Sequence, residues 1–136
     1  RHIGIRRPCH GSAMIADGRL EEMDRRRDLI EAGLGPLHTF ENIRSLVARG
    51  LVQVWFGDHS VMLTERQSYG EIEAIQCFSA SGDQAEIEAV IRPAIEAWGR
   101  AQGCNLALVD ASRRGWERVL KPAGYEFWST TLAKVL

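Results

Sequence analysis

The run Glu71-Ile-Glu-Ala-Ile-Gln-Cys-Phe78 opens the stretch that decides the fold, which continues to residue 125. Apolar and polar residues alternate along this run and several of them favour extended structure, so it predicts a β-strand. A helix is expected next, because apolar residues then recur three and four positions apart until Gly103 closes the pattern. The inward positions of this helix are Ile87, Val90, Ile91, Ala94, Ile95 and Trp98.

A second strand and a second helix complete the stretch. Leu106–Val109 is continuously apolar, which is typical of a strand covered on both faces in a parallel sheet. Ser112 offers a cap for the next helix, and Gly124 ends that helix. Its inward positions are Trp116, Val119 and Leu120. The stretch therefore predicts a βαβα core.

Two amphipathic helices and a hairpin precede this core. The helices are expected within residues 20–33 and 39–50, because each segment has an apolar stripe that glycine ends. Leu51–Phe56 and Val61–Thr64 are rich in β formers, and residues 57–60 between them have the composition of a hairpin turn. With the strand that starts at Glu71, they predict a three-stranded antiparallel meander.

The two ends of the chain complete the expected architecture. Residues 1–18 show no clear period and are interpreted as an arm, and residues 19–136 as a single domain. Tyr125–Leu136 predicts one long strand or two short ones. The fold class is therefore α/β, an α+β arrangement with a mixed sheet, in the order arm, helix, helix, three strands, helix, strand, helix, strand.

Composition narrows the classes of partner. The net charge of −1 disfavours nucleic acid as a partner, and no apolar run approaches the roughly 18 residues that cross a bilayer. The three cysteines are an odd number without a C-x-x-C pair, which favours a reducing compartment. The histidines and cysteines lack the spacing of metal ligands, so no metal site is expected. We expect a soluble cytoplasmic protein without a membrane partner.

The order of elements resembles that of the GNAT (Gcn5-related N-acetyltransferase) superfamily. The local match is best in residues 97–104, Ala-Trp-Gly-Arg-Ala-Gln-Gly-Cys, which are similar to the end of the superfamily's first cofactor-side helix. The run 113–120 followed by Gly124-Tyr125 resembles small GNAT-like proteins encoded by tailed phages. The resemblance implies acetyl-CoA as cofactor and an amine as acyl acceptor.

The same resemblance implies a place for the cofactor's pyrophosphate at a helix N-terminus, where free N–H groups and the helix dipole favour anions. The superfamily signature there is Q/R-x-x-G-x-G/A, and the equivalent turn here, residues 79–84, keeps one glycine. The expected cofactor-binding residues are Ser79, Ser81, Gly82, Asp83, Arg113 and Arg114. Asp83 is equally explained as an ordinary helix cap, and the two arginines as solvated charges.

Two glutamates are the expected catalytic residues. Glu71 and Glu73 are two positions apart on the predicted central strand, where a carboxylate could accept the proton of an acceptor ammonium. The alternative is that both lie on a solvated face of the strand. Leu120 stands where many members of the superfamily have a tyrosine that protonates the leaving thiolate, and leucine cannot donate a proton.

Two functions remain open from the sequence. The first is an acetyl-CoA-dependent N-acetyltransferase with a degenerate pyrophosphate loop. The second is a non-catalytic GNAT-like phage virion or accessory protein that acts through protein–protein contacts, with a phage structural protein or a host protein as partner. Its location would then be the host cytoplasm or the virion.

Overall fold

A computed structural model describes residues 18–110, 116–128 and 132–136. The predicted arm, apart from Gly18, lies outside the described residues. So do three residues singled out from the sequence, Ser112, Arg113 and Arg114. Within the described part of the chain, a four-stranded mixed sheet lies between two groups of helices.

The sheet has the strand order β1-β2-β3-β4, where β1 is Gln53–Phe56, β2 is Ser60–Tyr69, β3 is Ile72–Gly82 and β4 is Leu106–Val109. The first three strands are antiparallel neighbours, and β4 pairs with β3 in parallel. The predicted meander and parallel strand are thereby confirmed. The predicted turn at 79–83 is wrong for most of its length, because β3 continues to Gly82 and stays paired with β2 there.

Three short helices precede the sheet: α1 (Arg19–Arg25), α2 (Arg27–Gly33) and α3 (Phe40–Ala48). The single helix predicted for residues 20–33 is in fact two, which meet at Arg26. The Arg26 guanidinium donates to the Gly57 carbonyl at 2.6 Å and to the Glu22 carboxylate at 2.7 Å. The break therefore coincides with a contact that holds the helices to the β1–β2 hairpin.

The helix after β3, called α4, spans residues 84–101. It is α-helical over Gln84–Glu86 and Arg92–Ala101, and Ile87–Ile91 between them is π-helical. Proline has no N–H to donate, and Pro93 lies two residues beyond the end of the π segment. Such a local widening is one way for a helix to accommodate an interrupted hydrogen-bond ladder.

The chain after β4 departs from the prediction at its end. Helix α5 (Trp116–Leu120) and a 3₁₀ turn (Lys121–Ala123) form where a helix was expected. The final strand predicted for Tyr125–Leu136 is absent from the described residues of that segment, 125–128 and 132–136. Apolar side chains there are exposed rather than paired with the edge of β4: Phe127, Trp128, Leu132, Val135 and Leu136.

A separate apolar core covers each face of the sheet. On one face α1, α2 and α3 bury Met23, Ile30, Phe40, Ile43, Val47, Val52, Val54, Phe56, Val61 and Leu63. On the other face α4 buries Trp55, Met62, Ile75, Cys77, Ile87, Ile91, Ile95, Trp98 and Cys104. The sheet is therefore fixed from both sides, and its strands have little freedom to move relative to the helices.

No helix in the described ranges is both long and apolar enough to span a lipid bilayer.

Candidate functional site

The central feature of the site is the place where β3 and β4 separate. Their pairing ends at Cys77 and Val109, and the Asp110 N–H donates to the Cys77 carbonyl at 2.9 Å just beyond it. On the other side β3 stays paired with β2, but the register shifts so that Phe78 has no partner. Such a β-bulge bends a strand and increases its twist. The bulge therefore lies where β3 leaves β4, and a gap opens between the two strands.

Backbone groups of β3 face this gap. The Asp83 N–H donates to the His59 carbonyl at 3.3 Å, so the neighbouring pair of Ser60 and Gly82 is of the non-hydrogen-bonded kind. Because the pattern alternates, Ala80 and Gly82 direct their N–H and C=O groups away from β2. No strand of the described residues pairs with that part of the β3 edge. The gap is thus bordered by backbone donors that the sheet leaves free.

A pocket of about 140 Å³ occupies the gap, and we call it the slot. Its far wall is the end of α2, where the Ser79 hydroxyl donates to the Gly33 carbonyl at 2.9 Å. A Cβ atom at residue 33 would come within 2.9 Å of the Ala80 carbonyl, so glycine is what allows this close approach. The lining residues are Ala32, Gly33, Leu34, Gly35, Met62, Cys77, Phe78, Ser79, Ala80, Val109, Asp110 and Trp116.

Asp110 is the one charged side chain among the described residues that line the slot. It follows the last residue of β4, and both of its carboxylate oxygens accept from Gln76 Nε2 on β3 at 3.0 Å. The carboxylate is exposed, so a ligand can reach it. Sequence reasoning missed this residue. The available signal was its position at the carboxyl end of a parallel strand, where ligand crevices form in open sheets.

The wall of the slot also contains a thiol. Burial raises the pKa of the Cys77 thiol to about 12, and the nearby negative charge of Asp110 raises it further. A hydrogen bond with the backbone of Ser79 acts in the opposite direction but is outweighed. The thiol therefore stays protonated at neutral pH and is a neutral, largely apolar part of the wall.

The start of α4, next to the slot, has its first N–H groups satisfied by the chain's own carboxylate. Asp83 caps the helix, and its Oδ1 accepts from the N–H groups of Ala85 at 2.9 Å and Glu86 at 3.4 Å. Its backbone N–H donates to the Ser60 hydroxyl at 2.9 Å. The interpretation of Asp83 as an ordinary cap thus describes its contacts in the structure.

Glu86 faces the hairpin from the first turn of α4. Its carboxylate accepts from the backbone N–H groups of Asp58 at 2.7 Å and His59 at 2.9 Å. Burial acts to raise the pKa of Glu86, but hydrogen bonds from Ser60, His59 and Asp58 outweigh it and hold the pKa below its ordinary value. A second carboxylate therefore remains ionised beside the helix start.

Of the predicted cofactor-binding residues, Ser79 lines the slot, and Ser81, Gly82 and Asp83 follow it along β3 to the start of α4. Ser79 and Ser81 lie on β3, Gly82 ends it and Asp83 follows. The Ser79 hydroxyl is already bonded to Gly33, and Ser81 pairs with Val61 of β2. These contacts assign them no ligand, so their roles in cofactor binding stay predictions, as do those of Arg113 and Arg114, which lie outside the described residues.

The predicted bases lie elsewhere. Glu71 is exposed in the turn before β3 rather than on the strand, and Glu73 accepts from the Ser68 hydroxyl beside that turn. From Glu73 to Ala80 the strand extends by about 20 Å, at roughly 3.3 Å per residue. The structure therefore does not bring these glutamates to the slot. Their catalytic role stays a prediction that the geometry does not favour.

Leu120, at the position where the superfamily has its tyrosine, and Tyr125 are both engaged in packing. Leu120 is buried and, with Tyr125, lines a small cavity of about 10 Å³ under the sheet. The Tyr125 hydroxyl donates to Glu96 at 2.8 Å, and burial together with this carboxylate raises the pKa of the tyrosine. Neither side chain is among the residues that line the slot.

Within the described residues, no group of three or more His, Cys, Asp or Glu side chains is arranged to hold a metal ion.

Comparison with known proteins gives a match at the level of structure. No family model matches the sequence, and no curated protein does. The aminoglycoside N-acetyltransferase AAC(6')-Iy in complex with CoA superposes with a TM-score of 0.68 at 13% identity, covering 99% of this chain and 95% of that one. An acetyltransferase from Trypanosoma brucei gives 0.67 at 11% identity, with 99% and 100% coverage.

A third neighbour is a predicted acetyltransferase with acetyl-CoA from Clostridium acetobutylicum, with a TM-score of 0.64, 13% identity and coverage of 98% and 96%. Identities this low establish the fold and nothing finer. The chain has the fold of the GNAT acetyltransferases, as the order of its elements predicted.

The third neighbour is named with acetyl-CoA, a molecule with two parts that would meet different surroundings in this structure. The acylated thiol arm is narrow and contains amide groups, and these are compatible with a slot whose lining is largely polar and includes free backbone N–H groups of β3. The diphosphate does not fit the start of α4, because Asp83 already accepts from two of its N–H groups and Glu86 adds a second negative charge.

Proposed function

We propose that this protein is an N-acyltransferase that uses the slot between β3 and β4 to bring an acyl thioester together with an amine. The slot is the observation that supports the proposal most directly. It combines a largely polar lining that includes backbone N–H groups of β3, apolar contacts from Phe78 and Val109, and a single carboxylate at the rim. The fold shared with acetyltransferases is consistent with the proposal but is by itself an analogy.

The acyl donor supplies an activated carbonyl carbon, to which the amine nitrogen bonds as the carbon–sulfur bond breaks and sulfur keeps the electron pair. The protein contributes by positioning the thioester and by supplying polar groups to its carbonyl oxygen. The N–H of Ala80, directed away from β2, is available to a carbonyl oxygen in the slot. Phe78 and Val109 supply the apolar part of the wall against which the thioester packs.

Asp110 is the proposed base. Its carboxylate at the rim attracts an acceptor ammonium and takes the proton that the nitrogen loses. Gln76 orients this carboxylate across the two strands through hydrogen bonds of 3.0 Å to both oxygens. Since Leu120 cannot supply a proton, the proposed reaction releases the sulfur as a thiolate or protonates it from solvent.

A thiol-release assay tests this function. Purified protein is incubated with an amine acceptor and with acetyl-CoA or acetyl-pantetheine as the acyl donor. The thiol that is released is measured with an aromatic disulfide reagent, which gives a coloured product when it reacts with free thiols. Spermidine and the aminoglycoside neamine are suitable acceptors, the second because one structural neighbour is an aminoglycoside N-acetyltransferase. We expect amine-dependent thiol release that falls at least about 100-fold in Asp110→Asn, the lower range for loss of a general base.

The matched control is Asp28→Asn. Asp28 is exposed on α2 and does not line the slot, so its substitution makes the same change of charge away from the site. Activity of this variant should equal that of the wild type. Amine-dependent release that survives in Asp110→Asn would remove the residue from the mechanism, and no release with any donor would remove the enzyme function.

The alternative function, a non-catalytic protein that acts through protein contacts, is favoured by one observation. Phe127 and Trp128 are 62% and 63% exposed, which is unusual for adjacent large aromatic residues. A phage structural or host protein as the partner remains part of this alternative. Stable co-purification with a partner that Phe127→Ser and Trp128→Ser together abolish, combined with the absence of thiol release, would support it.

A further inference from the structure

The free edge of β3 runs from the slot directly into the start of α4. A ligand whose acyl group lies in the slot and whose arm follows this edge therefore approaches Gly82 and then Asp83. Helix N-termini are where phosphate groups are commonly bound, because their N–H groups are free and the helix dipole is positive there. The group that occupies the N-terminus of α4 therefore decides which acyl donors the slot accepts.

Asp83 occupies this position in the way a bound anion does. Its carboxylate takes the N–H groups of Ala85 and Glu86, and its backbone is fixed in turn. The Asp83 N–H donates to the Ser60 hydroxyl at 2.9 Å, and that hydroxyl donates to the Asp83 carbonyl at 3.1 Å. The cap is therefore held at both its side chain and its backbone.

The chain cannot easily move to make room. Gly82 lies so close to the hairpin that a Cβ atom there would be 2.2 Å from the His59 carbonyl oxygen. The hairpin is held in turn by Glu86, which accepts from Asp58 and His59. A shift of the loop away from the helix would have to break these contacts together.

The surrounding charge is also unfavourable to a diphosphate. The first two turns of α4 contain the carboxylates of Asp83, Glu86 and Glu88. The first basic residue of α4 is Arg92, and it is already paired with Glu88 at 3.0 Å and with Glu96. Like charges within a few ångströms repel strongly where water is partly excluded.

We propose that Asp83 is a specificity-determining residue that excludes the nucleotide diphosphate, so that the donor is an acyl thioester of pantetheine recognised through its acylated thiol arm alone. This inference rests on the proposed function. The inference goes beyond the proposed function because it names the chemical class of the acyl donor and the residue that selects this donor.

The test is a calorimetric titration of the full chain with two probes, acetyl-CoA and acetyl-pantetheine, which share the acylated thiol arm and differ in the nucleotide. The wild type should bind acetyl-pantetheine at least as tightly as acetyl-CoA. Asp83→Ser keeps a good capping hydroxyl and removes the charge. In this variant the affinity for acetyl-CoA should rise by about tenfold or more, a change well within reach of one charge pair.

Affinity for acetyl-pantetheine should stay within about twofold of the wild-type value in Asp83→Ser, since only the nucleotide end meets residue 83. Asp83→Asn is the second variant, because asparagine is also a good capping residue and has no charge. It should show the same rise in acetyl-CoA affinity and the same unchanged affinity for acetyl-pantetheine. Asp58→Asn is the matched control, because Asp58 is an exposed carboxylate of the adjacent hairpin that caps nothing, and both affinities should be unchanged there.

Each outcome separates the two proposals. Wild-type protein that binds acetyl-CoA more than tenfold more tightly than acetyl-pantetheine overturns the exclusion of the diphosphate and leaves the enzyme function standing. An unchanged acetyl-CoA affinity in both Asp83 variants overturns it as well. If neither acetyl-CoA nor acetyl-pantetheine binds the wild type or any variant, the proposed function is overturned, and the inference with it.

Discussion

At Gly82 the backbone adopts a conformation that side chains rarely allow, with φ at +113°, and lies against the hairpin. We predict that Gly82→Ala destabilises the protein by about 1 to 3 kcal/mol more than Gly70→Ala, because it adds a steric conflict to the backbone strain. Gly70 has a φ of +80° and no atom near its missing Cβ, so it isolates the strain alone.

Urea unfolding of both variants measures this difference. Equal losses of stability would mean that the hairpin yields to residue 82 and that the contact between β3 and His59 is loose.

Glu86 gives a prediction about pH. Its folded-state pKa lies below the ordinary value of 4.5, so its ionised form stabilises the folded state above that value. This contribution is lost as pH falls through the lowered pKa. We predict that Glu86→Gln costs about 1 to 3 kcal/mol at pH 7, the range for hydrogen bonds to a charged group.

The difference between wild type and Glu86→Gln should shrink below about pH 4.5, where the carboxylate becomes protonated in the unfolded chain and then in the folded one. Denaturation at a series of pH values between 7 and 3 measures it, with the exposed Glu21→Gln as control. A cost that does not change with pH would show that the charge of Glu86 is irrelevant to the hairpin.

Individual site residues could be predicted from the sequence only where local chemistry determines their contacts. Asp83 was expected among the cofactor-binding residues, but its alternative role as a cap was predictable, because an acidic residue before a helix binds the nearest N–H groups whatever lies further away. Asp110 and Gln76 were not identified, because their contact joins residues 34 positions apart in the chain and depends on how β3 and β4 align. Glu71 was placed on the strand because a strand boundary differs little in sequence from the turn before it.

At the scale of an element, β2 contains a buried polar contact that joins it to β1. Trp55 Nε1 donates to Thr64 Oγ1 at 3.0 Å, and the Thr64 hydroxyl donates to Gln53 at 2.9 Å. All three side chains are buried. We predict that Thr64→Val, nearly equal in volume, costs about 1 to 3 kcal/mol because it leaves two buried polar groups without partners.

Thr64→Ser is the comparison for this prediction. It keeps the hydroxyl and removes a methyl group, so it should cost no more than about 1 kcal/mol. If chemical denaturation finds the valine variant more stable than the serine variant, the hydrogen bonds of Thr64 matter less to β2 than its packing.

The order of elements was predictable because apolar periodicity sets it, while the lengths and ends of elements depend on partners. The end of β3 contains Ser79, Ser81 and Gly82, which read as a turn, and pairing with β2 is what extends the strand through them. The break at Arg26 likewise depends on the hairpin carbonyl that it reaches.

At the scale of the whole molecule, the site is a consequence of topology. Helices on both faces fix the sheet, β2 stays paired with β3 to its end, and the bulge at Phe78 turns β3 away from β4. The gap is therefore a property of the fold and needs no ligand to open it. The resemblance of the sequence predicts that the sheet parts after Phe78, and the pairing of β3 with β4, which ends at Cys77 and Val109, confirms it. The residues that line the slot, Asp110 among them, depend on the bulge and could not be predicted.

The most direct test of the account is to observe the β3 edge while a thioester binds. In a ¹⁵N-labelled sample titrated with acetyl-pantetheine, the amide resonances of Ala80 and Gly82 should shift together and saturate, whereas that of Gly70 at the far end of the sheet should stay in place. Resonances of Ala80 and Gly82 that do not move at saturating ligand would contradict the assignment of the slot as the place where the acyl group is bound.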